Sequence, residues 1–302
     1  MNKRRWLWIG VVLAAGVAGY YALVLHSPAP QSEFALDLAQ VRALADSVPG
    51  EKAGAVHYEE VLAMRFYEAM VMAGDPWKET PMPVYSYQLV FPDRTLIVDT
   101  AVARADVKPE FIGLHYDEAA YQRMNAAMAK AAQILVTHEH MDHIGGIAAH
   151  PQLAQLRPAL RLTAEQLANS AGMAPVKMPA EPLQGYEPLR YGGLLAIAPG
   201  VVLIKAPGHT PGSQMVYVKR ADGRELLFLG DVSWRTRNIE FVRERPLLMT
   251  LLIGEKRQPV LAQFKALKAL RRAEPGLAMV PGHDGPAVAA LEGAGLLDKG
   301  FQ

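Results

Sequence analysis

Apolar and polar positions divide the chain into one unbroken apolar run followed by many short ones. Trp6 to Leu25 is twenty residues without a charge. As a helix it spans about 30 Å, the hydrocarbon thickness of a bilayer. Residues 27–33 hold two prolines and no apolar period, which reads as a short linker. Leu36, Val41, Leu44 and Ala45 then recur near helical spacing, with Ser32 as a candidate N-cap and Pro49-Gly50 as the stop. Residues 55–73 are read as strand, although their methionine-rich part would also suit a helix. Val84–Phe91 and Thr95–Asp99 are β-rich runs joined by Pro92-Asp93-Arg94, a hairpin. Asp117 is placed to cap a helix from Glu118 to about Lys130. Further strands are expected at Gln133–Val136, Gly200–Lys205, Gln214–Lys219, Glu225–Leu229 and Leu277–Val280, with a turn at Asp222-Gly223. Gln258–Arg272 presents Leu261, Phe264, Leu267 and Leu270 on one helical face. No linker splits residues 34–302, so one large domain follows the apolar run.

Charge gives that run a direction. Lys3-Arg4-Arg5 precedes it, Trp6 and Trp8 lie at its basic end, and Tyr20 and Tyr21 lie near the other. A basic cluster stays in the cytoplasm, so residues 1–26 read as an anchor that places the bulk of the chain on the periplasmic or other extracytoplasmic side. The rival is a cleaved signal segment, which would leave the protein secreted. Ser27-Pro28-Ala29-Pro30 is a poor cleavage site because proline sits beside the small residue. A buried soluble helix is the third reading. Beyond the basic cluster the chain carries 28 basic and 30 acidic residues, with no basic stripe for a nucleic acid. Cysteine is absent, which removes disulfides, thiolate ligands and cysteine nucleophiles together.

The chemistry concentrates in Thr137-His138-Glu139-His140-Met141-Asp142-His143. Three of the nine histidines of the chain stand in this heptad beside an aspartate, where a strand ends. A neutral imidazole offers a lone pair without prior deprotonation, so this spacing predicts metal ligation. Three more candidates follow predicted strands: His209 in Pro207-Gly208-His209-Thr210-Pro211-Gly212, Asp231 in Leu229-Gly230-Asp231, and His283 in Pro281-Gly282-His283-Asp284. Each alone reads as a turn residue. All at strand ends, they reinforce one another.

The pattern His-x-His-x-Asp-His resembles the signature loop of the metallo-β-lactamase superfamily. The resemblance implies an α/β fold, the αββα metallo-β-lactamase sandwich, here with an N-terminal transmembrane helix. It assigns His138, His140 and His209 to a first zinc and Asp142, His143 and His283 to a second, with Asp231 bridging. Iron or manganese would accept the same donors. It gives Asp99, at the end of a strand, either a supporting role behind the metal loop or that of a turn residue. The activity implied is attack of a metal-bridging hydroxide on a small-molecule carbonyl substrate, with Asp142 orienting the nucleophile. Known subclasses narrow the substrate. Common β-lactamases use a cysteine ligand absent here, and the cysteine-free class lacks the bridging aspartate. Glyoxalase II-like thioesterases add a C-terminal helical domain for which no room follows His283. The set resembles most the N-acyl homoserine lactonases; thioester, phosphodiester and, behind them, β-lactam hydrolysis are alternatives. A membrane-tethered metal-binding regulatory module is the non-enzymatic one. Trp234–Lys256 reads either as a core helix or as a wall over the site. Tyr116, Tyr186 and Tyr191 could each donate to a substrate oxygen or pack in the core. The oligomeric state is not legible.

Overall fold

A computed structural model describes residues 3–107, 113 and 115–302. Met1 and Asn2, the start of the expected anchor, lie outside them. Strand β1 spans Ala55–Tyr67, β2 Glu79–Val90, β3 Thr95–Val98, β4 His115–Tyr116 and β5 Gln133–Leu135. Then come β6 (Leu194–Ala198), β7 (Val201–Lys205), β8 (Gln214–Lys219), β9 (Glu225–Gly230), β10 (Leu277–Pro281) and β11 (Asp298–Lys299). One sheet has the order β11-β1-β2-β3-β5, with β4 also paired to β1. The other has the order β10-β9-β8-β7-β6.

Alternation along the strands builds the layers, because successive side chains point to opposite faces. Tyr85, Tyr87, Leu89, Leu96 and Val98 of the first sheet meet Val201, Leu203, Val216, Val218, Leu226 and Phe228 of the second in one buried cluster. The residues between them face outward. Val84 and Ile97 pack with Tyr121, Met124 and Ile144, from the helices Glu118–Met128 and Met141–Ala148. Val202, Ile204, Tyr217 and Leu227 pack with Val41, Leu261 and Phe264, from the helices Leu38–Ser47 and Arg257–Ala273. Helices therefore cover both outer faces of two stacked sheets, the αββα arrangement expected.

Strand direction brings the expected ligands together. β3 and β5 are parallel. β7 and β9 are each antiparallel to β8, and β10 is parallel to β9. In each sheet these strands end at one edge, outside which layered α/β folds place their sites. Asp99, the His138–His143 loop, His209, Asp231 and His283 all follow such ends.

Several local expectations shift. The helix expected after Ser32 begins at Leu38, and its N-cap is Asp37, whose carboxylate accepts from the amides of Ala39 at 2.9 Å and Gln40 at 3.2 Å. Ser32 lies too far upstream to reach them. Residues 55–67 are strand, and 68–71 make a single helical turn. β6, β11 and the helix Gly285–Gly293 go beyond the elements read from sequence. Lys3–Tyr20 is helical and Tyr21–Leu25 continues it as a wider turn. Within Arg4–Leu25 mean hydropathy reaches 2.0, so this helix is long and apolar enough to cross a membrane. It is exposed almost throughout, apart from the buried Val24.

Gly146 fixes how closely the helix after the metal loop approaches the first sheet. A Cβ there would stand 2.1 Å from the carbonyl oxygen of Thr100, a backbone atom with no room to yield. Gly146→Ala should therefore cost about 1–3 kcal/mol of stability. The expected result is a lower urea midpoint at unchanged slope, measured on the full chain in mild detergent. An unchanged midpoint would show that the helix stands further from Thr100.

Candidate metal centre

The heptad begins two residues beyond the end of β5, and its second half is already helix. His140 stands at the N-cap of Met141–Ala148, so Asp142 and His143 lie in the first turn. The structure gathers all seven expected side chains into two groups: His138, His140, His209 and Asp231, and Asp142, His143 and His283.

In the first group three ring nitrogens form a triangle. His140 Nδ1 lies 3.1 Å from His138 Nε2 and 2.9 Å from His209 Nε2. Asp231 Oδ2 is 3.6 Å from His138 Nε2 and 3.3 Å from His209 Nε2. In the second group His143 Nε2 and His283 Nε2 stand 3.6 and 3.5 Å from Asp142 Oδ2. Asp231 Oδ1 completes it, 3.4 Å from His143 Nε2 and 3.0 Å from His283 Nε2. One oxygen of Asp231 thus faces each group.

Two observations say that these atoms suit a cation. His143 Nε2 and Asp231 Oδ1 are buried without a hydrogen-bond partner, a costly state unless something else engages them. Burial also holds His138 well below the ordinary histidine range, and it holds His140 at about 3, so both rings keep their lone pairs. At His143 burial opposes protonation too, but the carboxylates of Asp99, Asp142 and Asp231 prevail and raise it well above that range. Burial opposes ionisation of Asp231, yet the imidazoles of His283, His143 and His138 keep it well below the usual carboxylate range. The centre therefore balances its charges with protons, which divalent ions would displace.

Hydrogen bonds behind the rings aim them. His143 Nδ1 meets Asp99 Oδ2 at 2.9 Å, His209 Nδ1 meets Glu255 Oε2 at 2.8 Å, and His283 Nδ1 meets the carbonyl of Pro83 at 2.7 Å. Each leaves Nε2 directed into the centre. Asp99 also accepts from the amide of Thr137 at 2.6 Å and from its hydroxyl. It sits at φ +61°, a left-handed conformation unusual outside glycine. Its place is therefore behind the metal loop rather than in a plain turn. Glu139, fully buried, binds Asn169, the Thr210 hydroxyl and the Gly212 amide, tying the heptad to the loop that carries His209. Gly282 lets Asp231 approach: a Cβ there would come within 2.3 Å of Asp231 Oδ1.

Three supporting residues are not evident from local pattern. The Trp234 indole donates to Asp231 Oδ2 at 2.7 Å. The Arg245 guanidinium stacks on that indole at 4.6 Å, donates to the Asp231 carbonyl at 3.0 Å, and pairs with Glu255. Arg245 and Glu255 are both essentially buried. The available signal was two runs of three charged residues, Arg243-Glu244-Arg245 and Glu255-Lys256-Arg257, flanking an apolar run.

The centre opens into a cavity of about 440 Å³ lined by Met64, Phe66, Met82, Trp234, Met249 and Ile253, among others. Its floor holds His140, Asp142, His209, Asp231 and His283. Trp234–Lys256 divides between the two readings: Trp234, Met249, Leu252 and Ile253 line the cavity and the short helix Leu247–Ile253 buries only Thr250, whereas the helix Thr236–Phe241 packs Ile239 into the core. Tyr116, Tyr186 and Tyr191 take no part. Their hydroxyls donate to the carbonyls of Val102 and Leu162 and to Gln214. A larger cavity of about 570 Å³ lies beside Asp75, Arg235 and Asp284, but none of the seven clustered residues lines it.

Residues 80–283 match the family model described as the metallo-beta-lactamase superfamily. The chain is 27% identical over 197 residues to probable metallo-hydrolases of Mycobacterium bovis and Mycobacterium tuberculosis, covering 59% of this chain and 63% of each relative. It thus spans less than two thirds of the length of those relatives. It is 25% identical over 180 residues to an N-acyl homoserine lactonase of a Bacillus species, covering 55% of this chain and 70% of the other. Among solved structures, an N-acyl homoserine lactone hydrolase with N-hexanoyl-L-homoserine at its catalytic metal centre superposes with a TM-score of 0.61. It is 19% identical, and the match covers 80% of this chain and 97% of that one. A probable metal-dependent hydrolase from Staphylococcus aureus gives 0.58 at 13% identity, covering 77% and 91%. At these identities the structures establish the fold.

Removing Arg245 tests the support behind the centre without reference to any ion. Arg245→Met would leave Glu255 buried without its guanidinium partner and should cost about 3–5 kcal/mol. Urea unfolding of the full chain in detergent reads this directly. A loss below about 1 kcal/mol, the worth of an exposed pair, would mean that water reaches Glu255.

Proposed function

The chain belongs to the metallo-beta-lactamase superfamily, and from that premise we propose that it is a dinuclear metal-dependent hydrolase of an ester or lactone, with an N-acyl homoserine lactone as the favoured substrate. The observation that carries this reading is the pair of ligand groups joined by Asp231 at the floor of an apolar cavity. His138, His140 and His209 would hold one ion and Asp142, His143 and His283 the other, with Asp231 contributing to both. Zinc suits this donor set, with iron or manganese as alternatives. When bound, such ions acidify a water molecule and polarise a carbonyl oxygen.

The side chains of this protein do the rest. Asp231, held by Trp234, sets the separation of the two groups. Asp142 presents a carboxylate at the cavity floor, where it can accept a hydrogen bond from the attacking water and orient it. Met64, Phe66, Met82 and Met249 exclude bulk water and offer an adaptable apolar surface to an acyl chain. A cavity of about 440 Å³ falls in the range of small-molecule sites. Its described lining is predominantly apolar, which supports a substrate with an acyl chain. The sequence similarity to the Bacillus lactonase supports a lactone.

The domain plan follows. Residues 1–26 form a membrane anchor, 27–33 a linker and 34–302 the hydrolase, which lies on the periplasmic side because Lys3, Arg4 and Arg5 remain in the cytoplasm.

Purified full-length chain loaded with zinc should bind two ions and open the ring of a long-chain acyl homoserine lactone, with acid release as the signal. Chelation should abolish turnover. Asp142→Asn should lower it about 10²–10⁴-fold with secondary structure intact. Metal bound without turnover of any lactone would overturn the lactone assignment and move the search to other esters and to thioesters. Absence of turnover on all of them, with chelation lowering only stability, would favour a regulatory metal-binding module.

A further inference from the structure

The mouth of the cavity and the end of the apolar helix meet on one face of the domain. The wider turn Tyr21–Leu25 packs against the helix Leu247–Ile253. The amide of Gly74 donates to the carbonyl of Val24 at 3.1 Å, and the Trp77 indole to the Tyr20 hydroxyl at 2.9 Å. Arg257 donates to the carbonyl of His26 at 2.9 Å, and the Ser27 hydroxyl to Glu244 at 2.5 Å. The helix end is therefore fastened to the domain rather than joined to it by a free tether.

Length makes this fastening consequential. The charge-free run is twenty residues, and only its end is held by the domain: Val24 is buried and Leu25 half-buried, while Tyr21, Ala22 and Leu23 stay exposed. The eighteen residues from Trp6 to Leu23 span about 27 Å, just short of a hydrocarbon layer of roughly 30 Å. The surface that holds Val24 then lies at the bilayer. That surface is apolar and uncovered. Leu251 is 67% exposed, Leu252 69% and Trp77 52%, and Tyr67 stacks edge-on against Trp77 at 5.9 Å. Met249, Leu252 and Ile253 of the same helix line the cavity.

Resting on the hydrolase reading above, we infer that the rim of the cavity formed by Leu247–Ile253 docks on the lipid bilayer, so that the site takes acyl-chain substrates from the membrane leaflet. Leu251 and Leu252 insert among the acyl chains, and Trp77 and Tyr67 occupy the headgroup boundary, where amphipathic aromatic rings are favoured. An amphipathic lactone partitioned in the leaflet would enter ring first, its polar ring reaching Asp142 at the floor while its tail stays along Met249 and Leu252.

Because the chain has no cysteine, one can be introduced at a chosen position for labelling. Leu251→Cys marks the rim. Ala221→Cys marks the turn between β8 and β9, at the opposite edge of the sheet. Each full-length variant would carry a nitroxide in nanodiscs of phosphatidylcholine with one quarter phosphatidylglycerol. Collisions with dioxygen and with a water-soluble nickel chelate report immersion. The expected result is that the label at 251 favours dioxygen and the label at 221 favours nickel. Nickel favoured at both positions, or a mature protein lacking residues 1–26, would overturn the docking. This measurement needs no turnover, so it stands apart from the hydrolase reading.

A kinetic arm tests the route. With wild-type chain in vesicles, diluting a membrane-partitioned acyl lactone with inert lipid at constant bulk concentration should lower the rate in proportion to its mole fraction in the lipid. A rate that follows bulk concentration alone would overturn entry from the leaflet. In the same assay Leu251→Glu should lose at least tenfold on the partitioned substrate and keep its rate on a short-chain, water-soluble lactone. Equal rates on both substrates would also overturn it.

Discussion

A single buried carboxylate organises this molecule. Asp231 turns one oxygen toward His138 and His209 and the other toward His143 and His283, and both groups exist as one centre only while it holds that orientation. An isolated carboxylate with so little access to water would lose its charge. The surrounding imidazoles keep it ionised, the Trp234 indole fixes its rotation, and Arg245 holds its backbone. The glycine at 282 is required because any side chain would press on that carboxylate. From this one residue outward the constraints become architectural. Strands from both sheets must end at a common edge, and their loops must be short enough to turn side chains inward at once.

The apolar layers are what supply that edge. A period-two pattern in β7, β8 and β9 sends alternate residues into two different clusters, so each strand is gripped on both faces. Rigid strands put the loops in register, and hydrogen bonds such as Thr137 to Asp99 lock them. The cavity wall is built differently. Leu247–Ile253 is short, buries only Thr250, and leans on the end of the apolar helix. The cavity wall is thus less deeply embedded than the strands that carry the clustered residues.

Legibility in the sequence follows the range of the interaction. The seven clustered residues were visible because four share one heptad and the others stand beside glycines after apolar runs. The αββα arrangement was visible through the family resemblance, and the strands through short apolar, β-rich runs. Asp37 displaced Ser32 as a cap because capping depends on where the helix starts, and apolar spacing locates that only to within a turn. Arg245, Glu255 and Trp234 were not visible as a set, since they act through pairings across the fold that no local pattern encodes. The three tyrosines offered as substrate contacts are spent on hydrogen bonds within the protein. A hydroxyl in a sequence does not reveal which acceptor it will find.

The clustered residues are spread from position 138 to position 283 and belong to loops of both sheets. A nascent chain therefore cannot assemble the centre when the heptad emerges from the ribosome. His283 comes last, and its strand must dock beside β9 before the second group is complete. Any ion held by the second group would then be captured late in folding, after β10 has docked beside β9. A chain threaded through a translocation channel in extended form would carry no ions with it, and it would have to acquire them in the compartment where it finally folds.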